Sequence, residues 1–231
     1  IEGLIEEMST APFESGRKVF IIDDSHKMNK ESENALLKTL EEPPGFVIII
    51  LITSKPDSLL TTILSRVQTI KFFPLKVDKI ANLLIDKYKK SEDEAYYIAE
   101  FSKGALGKSI RLAEDMDFFQ RREEVLALIA ALLKGDKSKI FSSTNFFKDN
   151  REHIDEILDI FTYWFRDLII YKETRRKDFL INRDKVEDLS KQANMNLDKI
   201  NDIINSIMET RTNINRNINY QLAIENMLLN I

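Results

Sequence analysis

Cysteine is absent from this chain of 231 residues. The absence excludes disulfide staples and thiolate metal sites, and nothing else in the composition points to secretion. Histidine occurs only as His26 and His153, too few for a histidine-rich metal centre. A phosphate-cradling loop of the G-x-x-x-x-G-K-[ST] type is nowhere in these residues. No apolar run approaches the length of a bilayer span; the longest, Phe46 to Ile52, suits a buried strand. The first residues carry no signal-peptide pattern. An excess of positive charge is also missing, with a net charge of −4 and an isoelectric point near 5.5. That argues against a protein whose whole surface grips nucleic acid, which requires clustered Lys and Arg, and leaves room for a local basic patch.

What is present is ordinary for a globular protein: 43% hydrophobic and 31% charged residues. The length suits one large domain or roughly two to three small ones. The chain opens on Ile1 rather than Met and in mid-helix character, as a truncated or processed piece would. Ile1 to Met8 reads as the end of an amphipathic helix with Leu4, Ile5 and Met8 on one side, broken by Ala11-Pro12 and Ser15-Gly16. Val19 to Ile22 is a short apolar strand bounded by charge, expected to be buried on both faces as in a parallel sheet. A helix follows, with Asn29 as N-cap and with Glu31 and Glu33 complementing its dipole. Leu36, Leu37 and Leu40 form its apolar stripe, and Pro43-Pro44-Gly45 ends it. Phe46 to Ile52 is the second strand. Pro56-Asp57-Ser58 opens a short helix to Leu64, and Gln68 to Phe73 reads as a third strand. This alternation predicts parallel pairing with crossover helices.

After Pro74 only helical periodicity remains. Val77 to Lys89, Glu92 to Phe101 and Leu106 to Met116 predict a three-helix unit with Gly104 and Gly107 at a turn. From Phe118 the helices lengthen. Ile154, Ile157, Leu158, Phe161, Trp164, Phe165 and Leu168 trace one helical face; Ile200, Ile203, Ile204, Ile207 and Met208 trace another. Thr174 to Asp188 is polar, a loop or short helix, and Ile218 to Ile231 closes the chain as a helix. Helical spacing assigns most of the aromatic run 161–165 to the core; Tyr163 lies off the stripe and is the candidate for stacking on a base.

Three places carry potential chemistry. Asp23-Asp24 directly follows a strand, where carboxylates can hold Mg²⁺ and polarise a water, or simply form a solvated turn. Thr53-Ser54 ends the next strand, where a hydroxyl can bond a terminal phosphate or cap the turn before Pro56. Ser65-Arg66 ends a short helix. A guanidinium stays charged and can stabilise a transferring phosphoryl group, or it can serve only the helix dipole. The Arg66 side chain is expected to project outward without a structural partner.

The run Asn34-Ala35-Leu36-Leu37-Lys38-Thr39-Leu40-Glu41-Glu42-Pro43-Pro44, preceded by Val19 to Asp24 and followed by Thr62-Ile63-Leu64-Ser65-Arg66, resembles the second half of the nucleotide-binding domain in AAA+ sliding-clamp loaders. Order, spacing and residues agree from Arg17 to Pro74. Near the C-terminus, Asn217-Ile218-Asn219 and Gln221 to Asn226 resemble the end of the bacterial delta-prime branch of that family. The resemblance puts Asp23 and Asp24 at the Walker B positions, with aspartate where active ATPases carry a second-position glutamate. It puts Ser54 at sensor 1. It makes Arg66 the arginine that reaches a neighbouring subunit's nucleotide, with Val67 replacing the cysteine of the Ser-Arg-Cys pattern. Gly104 to Ser109 matches the sensor 2 segment, with Gly107 where the gamma and tau motor proteins carry arginine.

The implied fold class is α/β plus all-α: the C-terminal part of an AAA+ parallel-sheet domain (1–74), a three-helix lid (75–117) and a helical collar (118–231). The implied function is that of a largely static subunit assisting ATP-dependent loading of the sliding clamp onto primed DNA, in the cytoplasmic replisome. Its partners would be delta and gamma/tau, and through the assembly the clamp and DNA. ATP and Mg²⁺ would sit at neighbouring subunits, with no cofactor and no catalysis of this chain's own. Two other readings stand beside it. One is a gamma/tau-type ATPase, which Gly107 and Asp24 oppose. The other is a helical scaffold or DNA-binding regulator with a vestigial α/β part.

Overall fold

A computed structural model of the chain describes residues 1–13, 16–216 and 218–231; Ser15 of the expected helix break and Asn217 of the expected C-terminal motif lie outside it. The chain divides into two compact units, Ile1–Phe72 and Phe73–Ile231.

In the first unit, α1 (Glu2–Ser9) leads to β1 (Lys18–Ile22), α2 (Lys30–Glu41), β2 (Val47–Leu51) and α3 (Thr61–Leu64). The strands pair in parallel, from Lys18 against Val47 to Ile22 against Leu51, so α2 is the crossover. The Asn29 side chain accepts the Ser32 N–H at 2.9 Å and starts α2 as its sequence predicts. Helices α1 and α3 both pack on α2, and Met8, Phe20, Leu36, Leu59 and Ile63 are buried.

Two expectations fail here. Gln68 to Phe73 forms no strand; among the described residues the sheet has two strands, and Ile70, Phe72 and Phe73 stand exposed. A strand exists by its ladder, and apolar composition without a partner edge leaves only an extended segment. Nor is β1 buried on both faces. Phe20 is covered, but Val19 and Ile21 are more than half exposed, at 55% and 62%. Successive strand side chains point to opposite faces, and the described residues of this unit cover only one of them.

The second unit is all helical. It contains α4 (Val77–Tyr88), α5 (Glu92–Phe101), α6 (Leu106–Glu114), α7 (Phe118–Leu133), α8 (Ser138–Ser142) and α9 (Thr144–Asp149). Then come α10 (Ile154–Thr174), α11 (Val186–Gln192), α12 (Leu197–Asn215) and α13 (Tyr220–Leu229). The three predicted helices from 77 to 116 are present. Helix α5 opens with a reciprocal capping box between Ser91 and Glu94. Gly104 has φ +81°, and a Cβ there would lie 2.5 Å from the Pro74 Cβ and 2.8 Å from the Leu75 oxygen. Only glycine fits that turn.

One apolar core runs from Ile80 through Ile231. The Phe101 ring of α5 meets Phe118 of α7 edge-on at 5.4 Å and Tyr163 of α10 at 5.2 Å. Packing is therefore continuous across residue 117. Helix α10 packs against α7, α11 and α12, and Phe161, Trp164 and Phe165 are fully buried in it. This surround decides the fate of Tyr163. It lies off the main stripe, yet it is only 5% exposed, so it is a core ring and is not available to a base. Met208 departs the other way, at 59% exposed. Eight residues after Ile200 the helix has rotated about 80° past that stripe. The 174–188 stretch holds two 3₁₀ turns, Lys177–Phe179 and Arg183–Lys185, ahead of α11. Among the described residues, no helix is long and apolar enough to cross a membrane.

Candidate functional site

Parallel pairing brings the C-terminal ends of β1 and β2 together, and with them Asp23-Asp24 and Thr53-Ser54. This edge is where parallel α/β sheets ordinarily bind ligands. Asp24 sits in the left-handed region at φ 48°, tolerable for aspartate in a tight turn. Its N–H donates to Asp23 Oδ1 at 2.9 Å. Its own carboxylate accepts from Lys27 Nζ at 2.6 Å, and that hydrogen bond and charge hold the Asp24 carboxyl below its ordinary range. His26 Nδ1 stands 4.0 Å from Asp24 Oδ1 and 3.3 Å from Thr53 Oγ1. Ser25, fully buried, ties the turn to β2 by donating its N–H and hydroxyl to the Ile52 carbonyl at 2.9 and 3.0 Å.

The edge is thus built, and Lys27 already offsets one of its two carboxylates. A Mg²⁺ ion on Asp24 would have to displace the Lys27 ammonium. With Asp24 paired in this way, the residues present do not form a ready metal site at these acids. Ser54 is exposed, whereas its neighbour Thr53 also accepts the Lys55 N–H at 3.0 Å and closes the turn. Sequence reading gave Lys27 and His26 no role here. Their signal is local: both lie within three residues of Asp24, on the 3₁₀ turn Ser25–Lys27.

Arg66 follows α3. Its Nη2 donates to Glu41 Oε1 at 2.6 Å, and its Nη1 donates to the Thr62 carbonyl at 3.0 Å and to Ser65 Oγ at 3.3 Å. The expectation that it projects without a partner is corrected: it bridges α3 to the last residue of α2. The pair is partly solvated, with side chains 34% and 51% exposed, so its contribution to stability is about 0–1 kcal/mol. Arg66 does not contact Asp23, Asp24 or Ser54; its partners are Glu41, Thr62 and Ser65.

Gly107 is the second residue of α6, and a Cβ added there would meet nothing within 4 Å. Tight packing therefore does not explain this glycine, and an alanine methyl would be accommodated.

The family model for the DNA polymerase III delta subunit matches residues 1–76, and the model for the C-terminal part of that same subunit matches residues 116–231. Among curated relatives, the DNA polymerase III subunit delta' of Bacillus subtilis is 29% identical over 99% of this chain and 70% of its own length. The gamma/tau subunit of Mycoplasma genitalium is 30% identical over 73% of this chain, and the tau subunit of Bacillus subtilis 27% over 81%. The chain spans 31% and 37% of those two. The chain belongs to the DNA polymerase III delta-subunit family, and so to the clamp-loader subunits of DNA replication.

Proposed function

We propose that the chain works as a delta-prime-type member of a DNA polymerase III clamp loader, assembled with delta and gamma/tau in the cytoplasm. In that assembly Arg66 acts in trans on ATP held by a neighbouring subunit. The observation that carries the reading is the pairing of two family matches, 1–76 and 116–231, with an accessible guanidinium at the end of α3. The Lys27-paired Asp24 and the glycine at 107 favour a member that positions others over one that turns over its own nucleotide.

The helical unit supplies the assembly surface. Met208, Leu222 and Leu229 are 59%, 62% and 57% exposed on α12 and α13, and it is apolar side chains gathered in one exposed patch that mark a contact surface. Leu222→Asp tests this. The position is exposed, so folding should change by no more than about 0.5 kcal/mol. Co-elution with delta and gamma/tau in size-exclusion chromatography should nevertheless fall, and clamp loading with it. Unimpaired assembly by a folded Leu222→Asp chain would remove this face from the interface.

A further inference from the structure

We infer that the end of α10 and the 3₁₀ turn after it form a binding surface for single-stranded nucleic acid. Phe179 is the stacking ring, and Arg175, Arg176 and Lys177 are the phosphate contacts. The chain as a whole is acidic, with a net charge of −4, so such a ligand needs a local basic patch. From Lys172 to Phe179 there are four cations against Glu173 and Asp178. Arg175, Arg176 and Lys177 are all exposed. Among the described residues, Arg175 and Lys177 form no ion pair.

Phe179 stands among these cations and is 48% exposed. Its turn is held in place from several sides. Arg166 Nη1 donates to the Phe179 carbonyl at 3.1 Å. Arg183 donates from Nη2 to the Asp178 carbonyl at 3.0 Å and from Nε to the Leu180 carbonyl at 3.2 Å. The buried Asp167 Oδ2 accepts the N–H groups of Ile181 and Asn182 at 2.9 and 2.7 Å. A fixed backbone therefore presents the ring to solvent, as a stacking platform requires.

The guanidiniums are arranged to match. Arg176 lies 4.3 Å from the Phe179 ring centroid, and Arg175 lies 5.1 Å from that of Tyr171. A planar guanidinium stacked on a ring keeps its N–H edge for phosphate oxygens. The carboxylate beside Arg176 is Asp178, at 3.4 Å with both side chains exposed, a weak pair that a phosphate can replace. The helix dipole accounts for a cation at the C-terminus of α10, but not for an exposed ring with guanidiniums around it. Tyr163, the stacking candidate of the sequence, is enclosed in the core; Phe179 has the exposure that Tyr163 lacks. A single strand offers unstacked bases to such a ring, whereas a duplex keeps them paired. The surface lies within the helical unit and stands independently of any role for Arg66.

The test titrates the full chain into fluorescein-labelled oligo-dT at low salt and follows anisotropy, with oligo-U and a DNA duplex of equal length beside it. Saturable binding of the single strands is expected, weaker for the duplex and falling steeply with salt. Binding of either single strand supports the surface, and their ratio assigns DNA or RNA. Arg175→Glu with Lys177→Glu should weaken binding about tenfold or more. It should also make the dependence of log affinity on log salt shallower by about 1.4, since each phosphate contact on a single strand contributes about 0.7. The charge-matched pair Lys87→Glu with Lys89→Glu, on exposed cations at the end of α4, should change affinity by less than about twofold. Phe179→Ala should weaken binding about fivefold or more, and Phe179→Tyr should retain it. Absence of saturable binding, equal losses in the two charge pairs, tighter binding of the duplex, or equally effective displacement by polyglutamate would overturn the proposal. Circular dichroism checks each variant; if Phe179→Ala does not fold, the charge pairs and the polyglutamate competition decide.

Discussion

At the residue scale, the two glycines near the sensor-like segment have opposite environments. Gly104 holds a left-handed conformation against Pro74 and Leu75, whereas Gly107 faces open space in a helix. Gly104→Ala should destabilise the helical unit by more than about 1 kcal/mol, combining strain with overlap against backbone. Gly107→Ala should be neutral or stabilise by up to about 1 kcal/mol, since glycine inside a helix loses more backbone freedom on folding. Urea midpoints of the two variants check the pair; equal shifts would contradict it. The Arg66–Glu41 contact belongs to the same scale and was not legible in the sequence. Both residues lie inside the recognised motif, but nothing in a separation of 25 positions says that the ends of α2 and α3 meet.

Elements were legible where periodicity alone decides them. Helices α4, α5 and α6 follow their apolar spacing to within two residues at either end. The Asn29 cap could be named because capping chemistry is local. Gln68 to Phe73 misled because a strand depends on a distant edge, and Tyr163 because α10 is enclosed on more sides than one stripe suggests.

Another long-range device joins α7 to the 3₁₀ turn before α11. Arg122, buried under the Tyr97 ring at 3.8 Å, donates to Asp184 Oδ2 at 2.8 Å and Oδ1 at 2.7 Å, and to Asn182 Oδ1 at 2.9 Å. Burial alone would raise the Asp184 carboxyl, but the Arg122 hydrogen bonds and charge override it and leave it below its ordinary value. A carboxyl lowered on folding adds stability above its unfolded value of about 3.9, and that stability is lost as pH falls through the folded value. Asp184→Asn should therefore cost about 2–4 kcal/mol at neutral pH by leaving a buried guanidinium poorly paired. It should also flatten the loss of stability below about pH 4. Denaturation midpoints measured from pH 7 to pH 3 check both; a cost that persists in full at pH 3 would refute the linkage.

At the scale of the whole molecule, a two-stranded parallel piece and a ten-helix unit of described residues belong to a family of clamp-loader subunits. The continuous core across residue 117 bears on how the protein should be dissected. Cutting at Phe118 would expose Phe101, Tyr97 and Tyr163, so point substitutions on exposed positions are the sounder probes of assembly. The central claim is that the chain acts on its neighbours' nucleotide through Arg66. The most direct measurement is the DNA- and clamp-stimulated ATP turnover of a loader reconstituted with Arg66→Ala, beside one carrying Glu41→Gln. Trans arginines contribute roughly 10³-fold or more at the site they serve, so turnover should fall with Arg66→Ala, by less in total where other sites continue. Arg66→Lys should rescue poorly, because lysine keeps the charge without the planar fork. Glu41→Gln removes the ion pair and keeps the guanidinium, so it should leave turnover close to the unmodified value. Unmodified turnover in a correctly assembled Arg66→Ala loader, or an equal loss in Glu41→Gln, would contradict the account.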